Sequence, residues 1–209
     1  MTLQNRIDAF GAFVAVAARG TLMGNRGGRI HDPATKTITR RWASKHWICC
    51  EIIHKNWHRE VMGAGYTELF FLDEVTALAS GHRPCALCRR GDFVRFTAHW
   101  HGNMSPSARP LVNEIDDVLH RERQVSGVGA RQISRGEIKA LPDGAMIGIG
   151  NRAYALRHGH ALPWNFSGYE TAVPLTSLNL GEAHLLTPPA LVKALKAGYQ
   201  PRWHVSAGG

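Results

Sequence analysis

Cys85 and Cys88 stand at Cys-x-x-Cys spacing, directly after Arg83 and Pro84 and directly before Arg89 and Arg90. Two thiolates at this spacing can grip one tetrahedral metal ion, with the remaining ligands arriving from elsewhere in the chain. The sequence holds four cysteines, and the other two, Cys49 and Cys50, are adjacent. Neighbours on a strand point to opposite faces, so one of them can join the pair, and spacing leaves open which. His54 and His58 follow close behind, and imidazole is the other common zinc donor. The chemistry this pattern implies is a Zn2+ site.

Such a site needs elements to hold it. Residues 66 to 72 are aromatic and β-favouring, with Gly63 and Gly65 ahead of them, and predict a strand. Asp73 has the chemistry of a helix N-cap, residues 74 to 79 make a short helix, and Gly81 closes it. Residues 92 to 100 give an amphipathic helix leaving the site, so the order is strand, short helix, Cys-x-x-Cys, helix. Upstream, residues 10 to 18 are apolar, but the leader carries both Arg6 and Asp8 and lacks the positive region of a signal peptide. A buried strand or short helix is expected there. The glycine-rich run at 19 to 29 reads as a tight surface loop or a phosphate contact through Arg26 and Arg29. It has neither a G-x-G-x-x-G nor a P-loop Lys-Ser/Thr, which argues against a nucleotide fold.

Residues 101 to 110 are rich in Pro, Ser and Gly and read as a linker. Residues 111 to 123 repeat apolar side chains at helical spacing (Leu111, Ile115, Val118, Leu119). Asp116 and His120 share a face of that helix, expected to be solvated, and another loop is expected at 127 to 131. Turns at 142 to 144 and 158 to 160 bracket two short strands, an antiparallel meander that continues through an aromatic loop at 163 to 169. Further strands are expected between 173 and 186. Pro188-Pro189 opens a final helix at 190 to 197, ended by Gly198. The fold class is α+β: a zinc-centred region at 1–102 and a helix plus β-meander region at 110–209.

The chain carries a net charge of +9, which points to a polyanionic partner, nucleic acid first. Arg40, Arg41 and Lys45 interleave with Trp42 and Trp47, and Arg83, Arg89 and Arg90 flank the thiols. Guanidinium and ammonium groups neutralise phosphates while indole rings stack on bases, so these six cations are expected to face DNA. With 44% hydrophobic and 20% charged residues, extended disorder is not expected. No apolar run reaches the 18 or so residues of a membrane span. Thiols at metal spacing fit a reducing compartment, and the cytoplasm is the expected location.

The segment from Glu74 to Cys88, a short Ala- and Leu-rich helix ending in Gly81 and leading into Arg83-Pro84-Cys85-x-x-Cys88, resembles the zinc-binding domain of the Ada methylation-repair family. The resemblance spans about residues 45 to 95. It implies that an earlier pair completes a four-ligand zinc site, and here Cys50-x-x-x-His54 has that spacing. The implied ligand set is Cys50, His54, Cys85 and Cys88, with a function in DNA repair or the recognition of modified DNA. A histidine in place of a thiolate puts less negative charge on zinc and makes a weaker nucleophile. Zinc binding and DNA contact are what carry over.

A rival reading takes His58-x-Glu60 with Pro84-Cys85-x-x-Cys88 as the signature of a zinc-dependent nucleobase deaminase. His58, Cys85 and Cys88 would then hold zinc and Glu60 would shuttle the proton. Helix-breaking glycines after Glu60, and a helix rather than a strand before Pro84, argue against it. A third reading is a purely structural zinc site in a protein whose function lies in the meander.

Overall fold

The structure, a computed structural model, describes residues 2–55, 60–100, 110–125 and 131–208. His58, and the expected linker and loop apart from Pro110 and Arg131, lie outside the described residues. The architecture is α+β: a mixed sheet with helices in the N-terminal part, an antiparallel C-terminal sheet and a late helix.

The first sheet runs β2-β1-β5-β3-β4-β6, from β1 (Arg6–Ile7), β2 (Phe13–Val14), β3 (Leu22–Arg26), β4 (Trp47–Cys50), β5 (Leu69–Phe71) and β6 (Arg83–Pro84). β1 lies parallel to β5 and β4 parallel to β6, and the other pairings are antiparallel. Two sequence expectations change here. Residues 10 to 18 form no buried strand or helix; they yield only the half-buried edge strand β2. The glycine-rich run is not a surface loop throughout, because its middle is β3, flanked by β4 and β5. Gly24 is what allows this: a Cβ there would stand 2.1 Å from the Ile48 carbonyl oxygen and 2.8 Å from the Phe71 ring. The residue that suggested a loop is a close-approach position inside a sheet.

α1 (Glu74–Ala79) forms as the sequence predicts. Asp73 is its N-cap, accepting from the Thr76 amide at 2.9 Å. At the other end Gly81 takes φ +82, its N–H donates to the Leu78 carbonyl, and the His82 N–H donates to the Ala77 carbonyl. This is the Schellman closure, which satisfies carbonyls the helix would otherwise leave open. It also turns the chain into β6 and so aims the cysteine pair.

α2 (Arg90–His99) follows the cysteine pair, and α3 (Val112–Val125) is tied to β6 by the Asp116–Arg83 bonds. α4 (Arg135–Lys139), unforeseen in the sequence, is started by a capping box between Ser134 and Glu137. The second sheet runs β10-β9-β8-β7-β12, from β7 (Met146–Ile149), β8 (Arg152–Arg157), β9 (His160–Asn165), β10 (Gly168–Tyr169) and β12 (Ala183–Leu185), with β11 (Val173–Pro174) also on β9. α5 (Pro189–Lys196) starts on Pro189, one residue before the expected bound.

Every residue of α1 is buried, and each side of the helix meets a different neighbour. Val75 and Ala79 pack with Met146, Ala155, Leu162 and Tyr169 of the second sheet. Ala77 packs with Ile7, Leu69 and Phe71 of the first. Leu78 packs with Phe96, Ile115, Leu119 and Leu191 from α2, α3 and α5. A buried side chain of the Leu, Val or Phe kind contributes about 1.5–3 kcal/mol, so α1 is the joint where these hydrophobic clusters meet. Among the described residues no helix is long and apolar enough to cross a membrane.

Candidate metal centre

β4 sits between β3 and β6, with Cys49 opposite Gly24 and Cys50 opposite Met23. The Cys85 amide donates to the Cys49 carbonyl at 2.9 Å, which hooks the turn carrying the cysteine pair onto the end of β4. In consequence the sulfurs of Cys50, Cys85 and Cys88 all lie within 4.8 Å of one another, with Cys50 and Cys85 buried and Cys88 half-buried.

The donor set fits zinc. Tetrahedral Zn–S bonds of about 2.3 Å place sulfurs roughly 3.8 Å apart, inside the 4.8 Å within which these three lie. The backbone supports thiolate charge as well: the Leu87 amide donates to Cys85 Sγ at 3.4 Å, and the Arg89 amide closes the turn on the Cys85 carbonyl at 3.2 Å. Hydrogen bonds from the Cys50 and Cys88 thiols hold the Cys85 thiol far below its ordinary pKa. The Cys50 thiol is driven up, first by its bonds to Cys85 and Cys88 and then by burial. Crowding thus makes Cys85 the most acidic of the three thiols. A divalent cation replaces their protons and stabilises all three thiolates together.

His54 is not part of this group. It lines an adjoining cavity with Glu51, Val61, Tyr66, Glu68 and Phe70. Cys49 turns the other way, into the cluster of Ile7, Leu22, Leu69, Phe71 and Ala77, and burial raises its thiol pKa. Its sulfur accepts from Arg89 at 3.4 Å.

Two cations expected to face phosphate are internal. Arg89 is 2% exposed and donates to Glu74 at 2.7 Å and to Asp92 at 2.8 Å. Arg83 is 3% exposed and makes two bonds to Asp116, at 2.8 and 2.7 Å. A buried guanidinium requires a carboxylate partner, and both have found theirs inside the protein. Asp116, expected on a solvated face, is 1% exposed and also meets His46 at 2.6 Å. Arg40, Arg41, Lys45 and Arg90 remain at the surface. Lys45 pairs there with Asp117 at 2.6 Å, and Arg40 bonds the Arg29 carbonyl. Glu60 is at the surface in an ion pair with Lys36 at 2.5 Å.

Around the thiols lies a network that the sequence did not reveal. Glu74 is fully buried and accepts from Arg89, from the Tyr199 hydroxyl at 2.6 Å and from the Arg202 amide at 2.9 Å. Arg202 reaches Asp92 at 2.6 Å and Glu51 at 2.8 Å. Asp73 accepts from the Tyr169 hydroxyl at 2.9 Å and the His204 amide at 3.0 Å. Asp73 was legible as a cap, but the partners of Glu74 come from positions 89, 199 and 202, and no local spacing links them. No family model, curated protein or solved structure matches this chain, so what the centre does rests on its own residues.

Proposed function

We propose that this is a zinc-holding protein of a reducing compartment such as the cytoplasm, which contacts DNA in repair or in the recognition of modified DNA. The observation that carries the metal half is the convergence of Cys50, Cys85 and Cys88 from two separate elements onto one point. Zinc bound there supplies charge neutralisation and a rigid cross-link between β4 and the turn before α2. The fourth position falls to His54, should the loop after β4 close on the ion, or to water.

DNA contact rests on the surface cations. Trp42 is 37% exposed, and Arg40, Arg41 and Lys45 around it are exposed too. A stacking ring among three cations suits a nucleic-acid strand. The Lys45–Asp117 pair is of the surface kind, worth about 0–1 kcal/mol, and trades readily for a phosphate. A deaminase is not favoured, because the third donor beside the cysteine pair is the thiol of Cys50 and Glu60 is engaged by Lys36.

Zinc per purified chain is the first measurement. We expect about one ion per chain in the wild type, loss in Cys50→Ser and in Cys88→Ser, and retention in Cys49→Ser. Loss in His54→Ala assigns the fourth ligand to that residue, and retention assigns it to water. Wild-type protein without zinc, or Cys50→Ser with its zinc intact, would sink the metal reading. For DNA, four surface cations on phosphates predict a slope of log affinity against log salt of about −3 to −4. Weak binding insensitive to salt would instead leave a purely structural zinc site.

A further inference from the structure

Two more buried arginines make no ion pair with a carboxylate among the described residues. Arg26, the last residue of β3, is 0% exposed, and Arg123 on α3 is 5% exposed. Arg26 Nη2 donates to the Gly11 carbonyl at 2.8 Å, and its Nε points to His82 Nε2 at 3.4 Å. Arg123 donates to the carbonyls of Gly81 at 2.9 Å and Lys45 at 3.0 Å. Both guanidiniums stack on the Trp47 ring, at 4.1 and 4.5 Å from its centroid. Carbonyls and rings ease the burial of a cation but do not neutralise it.

Each keeps one nitrogen, Nη1 of Arg26 and Nη2 of Arg123, that is buried with no hydrogen-bond partner among the described residues. The two side chains line a common cleft with Gly11, Arg41, Trp47 and Ser80. It is open to solvent, and the cleft itself, about 10 Å³, has room for one water-sized group. Arg41, exposed, adds a third cation to the lining. The acids whose charge reaches them, Asp8 for Arg26 and Asp116 and Glu122 for Arg123, form no ion pair with them among the described residues: Asp8 accepts the Phe10 and Ala12 amides, Asp116 is held by Arg83 and His46, and Glu122 accepts the Ala190 amide. The segments outside the described residues contain no Asp or Glu.

From this geometry we infer that the cleft of Arg26, Arg41 and Arg123 is an oxyanion site that takes a phosphoryl group. One phosphoryl oxygen fills the narrow base between the two open guanidinium nitrogens, and Arg41 meets another at the mouth. Phosphate suits the site because it offers several charged acceptors to guanidinium donors at once. Burial pushes Arg26 well below its ordinary pKa and Arg123 down to about 9. Arginine holds its proton regardless, so a bound anion is what relieves that burial. The site does not depend on the metal, and it shares Arg41 with the DNA reading.

The test is calorimetric titration of the 209-residue chain with inorganic phosphate at constant ionic strength set by chloride. We expect millimolar or tighter binding and a rise in melting temperature with phosphate. Arg123→Gln and Arg26→Gln should weaken binding about tenfold each. Because those buried changes could unfold the chain, Arg41→Gln, at the surface, carries the test alone if needed, with a loss of about threefold to tenfold. Adding a DNA duplex then distinguishes the sources: competition with phosphate identifies the ligand as a DNA phosphate, and its absence identifies a small phosphate compound. No heat and no thermal shift at millimolar phosphate would overturn the proposal, as would Arg41→Gln and Arg123→Gln both folding and binding like the wild type.

Discussion

Cys49 and Cys50 are chemically identical and one peptide apart, yet they have opposite fates. The alternation of a strand sends Cys50 to the other thiols and Cys49 into an apolar cluster beside Arg89. Their reactivity should differ accordingly. The thiolate is the reactive form, and burial in apolar surroundings suppresses it. With zinc bound, iodoacetamide should modify none of the four cysteines at an appreciable rate. After chelation we expect Cys88, the most exposed, and Cys85, the most acidic, to be labelled first, and Cys49 to be labelled only on the timescale of unfolding. Mass spectrometry of peptides over a labelling time course reads the order directly, and early labelling of Cys49 would contradict its placement.

At the scale of elements, α1 and its closing turn do the positioning. Asp73 and Gly81 could be read from the sequence because caps are local: the side chain or the conformation acts within four residues of its own position. Gly24 could not, since its role is to admit the Ile48 carbonyl and the Phe71 ring from neighbouring strands. Gly81 has a second, non-local duty. A Cβ there would meet Arg123 Cγ at 2.7 Å, at a φ that side chains rarely adopt, and its carbonyl accepts from Arg123. Gly81→Ala should therefore cost about 2 kcal/mol in urea denaturation. It should also weaken phosphate binding in the arginine cleft while leaving zinc content intact. An unchanged stability would mean that the turn can adapt without its glycine.

At the scale of the whole molecule, the last residues are tied to the first half by charge. The Arg202 amide and side chain bind Glu74, Asp92 and Glu51, and the His204 amide binds Asp73. These contacts join the tail to α1 and to the residues flanking the thiols. A chain ending at Gln200 should lose about 3 kcal/mol from the missing bonds to charged groups. For a protein of this size that is roughly 10 °C in melting temperature. Calorimetry of the zinc-loaded forms measures it, and a truncated protein melting within a degree or two of the full chain would show the network to be energetically idle.

What the sequence by itself determined were the features that act over a few residues. These are the Cys-x-x-Cys turn, the capped helix before it, the helix after it, and the alternating strands and tight turns of the C-terminal meander. Periodicity, caps and turn chemistry are local, so one chain suffices to see them. The tertiary structure alone decided which of two adjacent cysteines joins the thiols, and that Arg83, Arg89 and Asp116 are interior ion-pair partners and not surface charges. It also decided that Arg26 and Arg123 are buried around Trp47 and make no ion pair with a carboxylate among the described residues. The reason is the same in each case. A charge is worth what its surroundings make it, and those surroundings come from residues tens of positions away, brought near only when the sheets close over α1.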